Sequence, residues 1–398
     1  MSKLLTYKQR NSVLASMAQL IASERAAILK ANKIDVENYS GEDIAMYDRL
    51  KVDDSKIEGM IVSLQQLIAD VDPIGKELYN FTHENGLKMI NKTAPFGTVL
   101  IIYESRPDVT VEAGGIAFKS GNKILLKGGK ESLNSNLKIV ELWHKALAEN
   151  NISTNWVEYL NYNRTETQAF LEHPTQKVDL IVPRGGEKLI AFVKQHAKCP
   201  VIVSGRGNNF VYVDIEADLE MALSVIINAK ASKISACNAL DKVLINTNLM
   251  GKGAFIKTLI KKLIDHKVEI LGDVELSKFE NVSAFEDSTI WFEEFLDYKI
   301  VLGAVNSLDE AISKINTYGG GHSAVIITNN TETAQNFMDS VDSAAVYQNA
   351  STRFTDGGQF GLGGELAIST DKLHHRGPMG LQHLVTNKWY VYGNGQIR

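Results

Sequence analysis

Apolar residues return every three or four positions from Val13 through Leu14, Met17, Leu20 and Ile21 to Ile28, the spacing of an amphipathic helix laid on a larger body. A second helical run over 57–68 stops at Asp72-Pro73-Ile74-Gly75, where Pro and Gly punctuate the chain and mark a segment boundary. Over 78–95 the pattern turns strand-like around Glu84-Asn85-Gly86, and Asn-Gly is the strongest short hairpin signal, so a β arm is expected at 79–95. Short β-rich apolar runs then alternate with longer amphipathic ones: strands at 98–103, 123–127, 157–160, 178–182 and 200–203, and helices at 109–119, 134–148 and 187–197. This alternation predicts a parallel, doubly wound sheet, in which ligands bind outside the carboxyl ends of the strands. A helix over 219–231 leads into Cys237, and a second α/β series runs from Val243 to about Ile368, giving two lobes. The stretch 374–398, rich in Gly, His and aromatic residues without helical period, is expected to pack on another element or subunit.

The chain has 398 residues, enough for two or three domains with real cores. Forty-two Lys plus Arg against 47 Asp plus Glu leave a formal charge of −5, which offers no basic field for a nucleic-acid backbone. With 44% hydrophobic and 22% charged residues the chain is globular in composition, and disordered or fibrous classes are excluded. No apolar run approaches the length of a membrane span, and the start, with Lys3, Lys8 and Arg10, lacks the apolar stretch of a secretory signal; a cytoplasmic location is expected. Cys199 and Cys237 are too few for a disulfide framework and are expected to be free thiols.

A thiolate is a strong nucleophile, so a lone cysteine among small polar residues is a candidate for covalent acyl chemistry. Cys237 fits, with Lys233, Ser235 and Asn238 placed to favour the thiolate or donate to an oxyanion, although taken alone it also reads as an inert buried thiol. Cys199, beside Pro200, reads as structural. Pro183-Arg184-Gly185-Gly186 ends one strand and opens a helix, where backbone N–H groups face a pyrophosphate; it is not GxGxxG, and a plain tight turn has the same composition. Lys127-Gly128-Gly129 ends another strand, where a Lys reaches a ribose or 2′-phosphate, or is merely solvated. Tyr103-Glu104-Ser105-Arg106-Pro107 follows the first strand: Arg106 can reach a carboxylate or phosphate and Ser105 can line a pocket, or the run is a helix-start turn preset by Pro107. The span 349–361, dense in Gly, hydroxyls and Arg353, reads as an anion-binding loop. His322, His374, His375 and His383 show no ligand spacing, and no metal site is expected.

Together, Ile102-Tyr103-Glu104-Ser105-Arg106-Pro107-Asp108-Val109-Thr110-Val111, Leu126-Lys127-Gly128-Gly129, Val182-Pro183-Arg184-Gly185-Gly186, Ser235-Ala236-Cys237-Asn238-Ala239 and the span 349–361 resemble the gamma-glutamyl phosphate reductase family, the glutamate-5-semialdehyde dehydrogenases of proline biosynthesis, within the aldehyde dehydrogenase superfamily. The likeness runs nearly end to end, from Asp48-Arg49-Leu50 and Asp72-Pro73-Ile74-Gly75 to Gly393-Asn394-Gly395-Gln396-Ile397-Arg398. It implies an α/β, aldehyde dehydrogenase-like fold. A Rossmann-like NADP-binding domain would cover 1–232, with 79–95 as a small β oligomerisation arm; an α/β catalytic domain with Cys237 would cover 233–367; and 368–398 would return to the cofactor domain and the arm.

The resemblance also implies NADPH-dependent reduction of L-glutamyl 5-phosphate to L-glutamate 5-semialdehyde and phosphate through a cysteine thioester, the second step of proline biosynthesis. Cys237 aligns with the nucleophile, and Asn238 beside it is taken as the second catalytic residue. Lys127, Gly128, Arg184, Gly185, Gly186, Glu294 and Phe295 fall at cofactor-binding positions, the last two near the superfamily's Glu-x-Phe element with the aromatic shifted by one place. Ser105, Arg106 and Arg353 are taken as substrate-binding. Members that hydrolyse their thioester carry a Glu before the cysteine domain; the matching stretch here, Val203-Ser204-Gly205-Arg206-Gly207, has no carboxylate, which favours phosphate over water as the acyl partner. Two departures stand near the nucleophile: Asn208-Asn209-Phe210 where many members carry a Cys-His pair, and Asp241-Lys242-Val243-Leu244-Ile245 in place of the usual Glu-Thr-Leu-Leu-Val. Lys127 serves NADPH or NADH. A small acyl-phosphate substrate and a homo-oligomer are implied, and functional coupling to glutamate 5-kinase is left open.

Overall fold

The computed structural model describes residues 4–251 and 253–398; Lys3, used in the reading of the chain start, lies outside them. Two compact units divide the chain: one runs to Val203 and includes Gly361–Ala367 and Met379–Arg398, the other comprises Ser204–Phe360 and Ile368–Pro378. The division after Val203 differs from the 232/233 boundary suggested by sequence. Its cause is strand pairing: Phe210–Val213 lie in register with Lys242–Ile245, so the segment before Cys237 shares a sheet with the segment after it.

In the first unit α1 (Tyr7–Ser23) opens on a capping box in which Thr6 and Gln9 exchange side-chain and backbone hydrogen bonds. It breaks at Glu24, and α2 (Arg25–Glu37) leaves at 72°, so the periodic run to Ile28 is two helices. After α3 (Ile44–Leu50), α4 (Asp54–Ala69) buries Ile57, Met60, Leu64 and Leu67 in one core with Val13, Leu14, Met17 and Ile21 of α1. Each such side chain contributes on the order of 2 kcal/mol by leaving water. Among the described residues no single helix is long and apolar enough to cross a membrane.

β1 (Glu77–Thr82) and β2 (Lys88–Pro95) form the expected hairpin, closed by Gly86 at φ 85°, a conformation that suits glycine. There follow β3 (Thr98–Tyr103), α5 (Val109–Lys119), β4 (Lys123–Lys127), α6 (Leu133–Glu149), β5 (Val157–Tyr159), α7 (Arg164–Glu172), β6 (Leu180–Arg184) and α8 (Glu187–His196). The strands make a parallel sheet in the order β5-β4-β3-β6. Val99, Ile101, Ile124 and Leu126 join the core of the N-terminal helices, whereas Leu100, Ile102 and Leu125 meet Phe170 and Val193 on the other face. The stretch 200–203 is not a full strand; its ladder is one bridge, Ile181 with Val201. Asp35 of α2 caps α6: its carboxylate accepts from Asn134 N at 3.0 Å, Ser135 N at 2.8 Å and Ser135 Oγ at 2.6 Å, fixing the loop that begins at Lys127.

The second unit contains β7 (Asn209–Val213), α9 (Leu219–Ala231), β8 (Leu240–Asn246), α10 (Gly253–Asp265), β9 (Glu269–Gly272), β10 (Ser283–Ala284), β11 (Lys299–Val305), α11 (Leu308–Tyr318), β12 (Ser323–Ile327), α12 (Thr331–Ser340) and β13 (Ala345–Gln348). Its parallel sheet has the order β10-β9-β11-β8-β7-β12-β13. Val211, Val243 and Ile245 supply the core on one face; Phe210, Tyr212 and Leu244 supply it on the other.

The chain closes with β14 (Ala367–Ser369), β15 (Gly377–Met379) and β16 (Val385–Tyr392). β16 joins the arm antiparallel to β2, from Val385 opposite Pro95 to Tyr392 opposite Lys88, so the aperiodic tail packs on another element of its own chain. The arm leaves Tyr79, Phe81 and Trp389 exposed, with Tyr79 edge-on to Trp389 at 5.7 Å.

Candidate active site

Cys237 lies in the turn between α9 and β8 with its side chain exposed. The turn is curled by Ala236 N donating to Lys233 O at 3.3 Å and Ala239 N to Ala236 O at 2.9 Å. Asn209, buried at the start of β7, holds it from below: its Nδ2 faces the carbonyls of Gly207 (2.8 Å), Cys237 (2.8 Å) and Ala239 (2.7 Å), and its Oδ1 accepts from Ser323 N (3.0 Å). Gly207 completes the contact. A Cβ there would stand 2.0 Å from Cys237 O and 2.6 Å from Glu294 Oε1, so a side chain at 207 requires the Cys237 backbone to move. These residues gather at the amino ends of β7, β8 and β12, whereas the general expectation for such sheets was the carboxyl ends.

Asn238 is not a free oxyanion donor. Its Nδ2 donates to Arg353 O at 3.3 Å and Thr355 O at 2.9 Å, which occupies both of its N–H groups, while its own carbonyl accepts from Thr352 Oγ1 at 2.6 Å. Asn238 instead ties the 352–355 segment to the position next to Cys237. Arg353 thereby comes close to Cys237 along the backbone, and its buried Nη1 has no hydrogen-bond partner among the described residues. An unpaired buried guanidinium nitrogen is costly, and an anion relieves it.

Behind this loop Thr355 Oγ1 meets Ser323 Oγ and Tyr347 OH, each at 2.7 Å, and Ser323 Oγ meets His322 Nδ1 at 2.8 Å. Burial pushes His322 down to about 4, so the imidazole stays neutral. Glu294 lies against Gly207 as noted, but Phe295 is engaged inside the protein: the Lys242 ammonium stands 3.9 Å from its ring centre. That contact argues against Phe295 as a direct cofactor contact.

The first unit places its candidates at strand carboxyl ends, as expected. Lys127 ends β4, its Nζ donating to Gly128 O at 2.8 Å; burial lowers its pKa while Glu131 acts in the opposite sense. Ser105 Oγ donates to Glu131 Oε2 at 3.1 Å. Arg106 is ion-paired with Asp108 at 2.5 Å; burial works to lower its pKa, but Asp108, Glu112 and Glu365 outweigh it and hold it up. Its charge is already balanced, so it is not the free anion clamp that the sequence suggests. Between β6 and α8, after Arg184, Gly186 N donates to Glu104 Oε1 at 3.2 Å, and a Cβ at Gly185 would sit 2.5 Å from the Glu104 carboxyl carbon. The helix start does hold an anion, and that anion is internal. Sequence reasoning assigned no role to Glu104, Gly207 or Asn209; for Asn209 the signal was a polar pair opening the apolar run Phe210-Val211-Tyr212-Val213. Among the described residues no group of His, Cys, Asp and Glu is arranged to hold a metal ion.

The aldehyde dehydrogenase family model matches residues 2–275 and 280–389. The chain is similar to the gamma-glutamyl phosphate reductases of Clostridium botulinum (strain Eklund 17B / Type B), at 42% identity over 396 residues covering 99% of this chain and 95% of the relative, and of Clostridium beijerinckii, at 43% over 396 residues covering 98% and 94%. The crystal structure of gamma-glutamyl phosphate reductase from Thermotoga maritima superimposes with a TM-score of 0.95 at 40% identity, covering 99% of this chain and 95% of that one. An engineered glycolyl-CoA reductase with bound NADP+ shares the fold, with a TM-score of 0.67 at 17% identity over 98% of this chain and 92% of that one.

Gly207→Ala, overpacked against a backbone carbonyl, is expected to lose about 1–3 kcal/mol in denaturant unfolding and to alter the rate at which iodoacetamide alkylates Cys237; wild-type values for both contradict the contact. His322 gives a pH signature. The unfolded imidazole takes up its proton near 6.5 and the native one only near 4, so stability present above 6.5 is lost as pH falls through that window, by roughly 3 kcal/mol in all. Urea titrations across pH 4–7 check this, and His322→Gln should flatten that part of the curve relative to wild type.

Proposed function

The chain belongs to the aldehyde dehydrogenase family and, within it, to the gamma-glutamyl phosphate reductases, and from that membership we propose that it reduces L-glutamyl 5-phosphate to L-glutamate 5-semialdehyde and phosphate, with NADPH, through a thioester on Cys237. It is an oxidoreductase by that membership. The observation that supports the finer reading is the bonding of Asn238 to the Arg353 and Thr355 carbonyls, which ties the backbone of an arginine with an unpartnered guanidinium nitrogen to the residue next to an exposed cysteine.

The Cys237 thiolate attacks the acyl carbon; the C–S bond forms, the C–O bond to phosphate breaks, and phosphate leaves with the electron pair. Arg353 takes an anionic group of the substrate or the departing phosphate. NADPH, when bound, supplies the hydride that brings the thioester to the thiohemiacetal level. Breaking the C–S bond then returns Cys237 as thiolate and frees the aldehyde. Lys127, Arg184, Gly185 and Gly186 are the residues assigned to the dinucleotide, and Glu294 is given to it by the family resemblance. The fit is supported by the anion already seated on Gly186 N: a dinucleotide phosphate there would take the place of the Glu104 carboxylate. Ser105, whose Oγ donates to Glu131, is assigned to the substrate by the family resemblance. The 203–207 segment offers no carboxylate to activate water, so phosphate is the acyl partner in the reverse direction. Self-association through the arm's exposed Tyr79, Phe81 and Trp389, a cytoplasmic location and functional coupling to glutamate 5-kinase belong to the same proposal.

With glutamate semialdehyde and NADP+, the wild-type protein is expected to form NADPH only when inorganic phosphate is present, and Cys237→Ala to abolish this while still binding NADPH. Phosphate-independent NADPH would identify a hydrolytic dehydrogenase instead. Arg353→Ala should raise the KM for phosphate or semialdehyde about tenfold or more with a smaller change in kcat, as loss of a charge-assisted hydrogen bond does; unchanged KM values would leave Arg353 a structural residue.

A further inference from the structure

Three ionisable side chains are buried close together in sequence on either side of Cys237: Lys230 near the end of α9, and Asp241 and Lys242 at the start of β8. Lys230 Nζ lies 3.1 Å from Asp241 Oδ1, and Asp241 Oδ2 accepts from Phe295 N at 3.1 Å. Lys242 Nζ donates to Glu293 O at 2.7 Å and caps the Phe295 ring, and the Lys299 ammonium stands 5.3 Å from the same ring centre. Burial pushes Lys242 down to about 7 and Lys230 down as well, and pushes Asp241 up, so these charges are kept at an energetic cost. Interior ion pairs of this kind add little stability over an apolar filling of equal volume, which leaves their geometry as the thing to explain. That geometry is directed at one segment. Asp241 takes the Phe295 amide, Lys242 takes the Glu293 carbonyl and the Phe295 ring, and between the two lies Glu294, with Oε1 against Gly207 and Gly207 against the Cys237 carbonyl. The next residue, Leu296, is held at φ 50°, which a branched side chain adopts only under constraint.

We propose that Asp241 and Lys242 are positioning residues that clamp Glu293 and Phe295 so that Glu294 stays against Gly207, and that they thereby set the affinity for the nicotinamide dinucleotide without touching it. The inference rests on the functional reading above, which gives Glu294 to the dinucleotide. The clamp is electrostatic, so it depends on the charge at 242 and 241 rather than on their bulk.

The experiment is a fluorescence titration of the full-length protein with NADPH, alongside melting temperature and the rate of Cys237 alkylation by iodoacetamide without cofactor. Lys242→Met keeps the alkyl stem and removes the charge; it should melt no lower than wild type, label at the wild-type rate and bind NADPH at least five-fold more weakly. Asp241→Asn should weaken NADPH in the same way, and Lys242→Arg, which keeps a cation over the ring, should recover most of the affinity. Unchanged NADPH affinity in both Lys242→Met and Asp241→Asn overturns the inference, as does a loss of affinity that tracks a lowered melting temperature. A wild-type protein that binds no NADPH overturns the functional reading, and this inference with it.

Discussion

One amide nitrogen facing three carbonyls is the contact on which the placement of Cys237 depends. Asn209 Nδ2 reaches Gly207, Cys237 and Ala239, and its oxygen takes the amide of Ser323. A buried amide is stable only where its donors and acceptor are met, and here the groups that meet them come from three strand starts at once. The position of Cys237 is therefore fixed by the same bonds that fix the sheet register, and the turn that carries it needs no stiffness of its own. Gly207 extends the constraint by excluding any side chain from the contact, which brings the Glu294 carboxyl into the same layer.

The two units present their candidate anion-binding groups by different means. In the first, the parallel strands end in Lys127, Arg184 and two glycines, and the α8 start shows its preference by holding Glu104. In the second, Asn238 draws in the loop around Arg353 by its carbonyls, and Arg353 Nη1 has no hydrogen-bond partner among the described residues. Arg106 shows what a satisfied guanidinium looks like, with Asp108 at 2.5 Å. The contrast between these two arginines is one of partners, which residue type cannot reveal.

Much of the first unit was legible because its strands are buried on both faces and α6 and α8 on one, so β3, β4, α6 and α8 announced themselves by period, while α5, buried all round but for Glu112, stood out as a long apolar run between two strands. α7, nine residues long with Phe170 and Leu171 as its large apolar anchors, carried too little pattern to be found. β16 was missed because all its residues after Val385 are exposed, and a strand solvated on both faces has no alternation to read. Among the candidates, the motifs singled out Cys237, Lys127, Glu294 and Arg353, yet spacing could not say where a side-chain amide points; Asn238 was read as favouring the thiolate or donating to an oxyanion, and its amide is bonded to the 353–355 loop. Lys242 was noticed as a departure, but a lysine between Asp241 and Val243 gives no sign that its ammonium ends on an aromatic ring.

The arm joins β2, which begins at Lys88, to β16, which ends at Tyr392, and the first unit likewise takes in segments from both sides of the second. During synthesis the second unit's 204–360 segment follows 1–203 and precedes the last pieces of the first unit, Gly361–Ala367 and Met379–Arg398. β2 meanwhile waits with an open edge, and closing it spans nearly the full sequence. The three-stranded arm is thus finished only when 385–392 have been made, after every residue of the second unit is already in the chain.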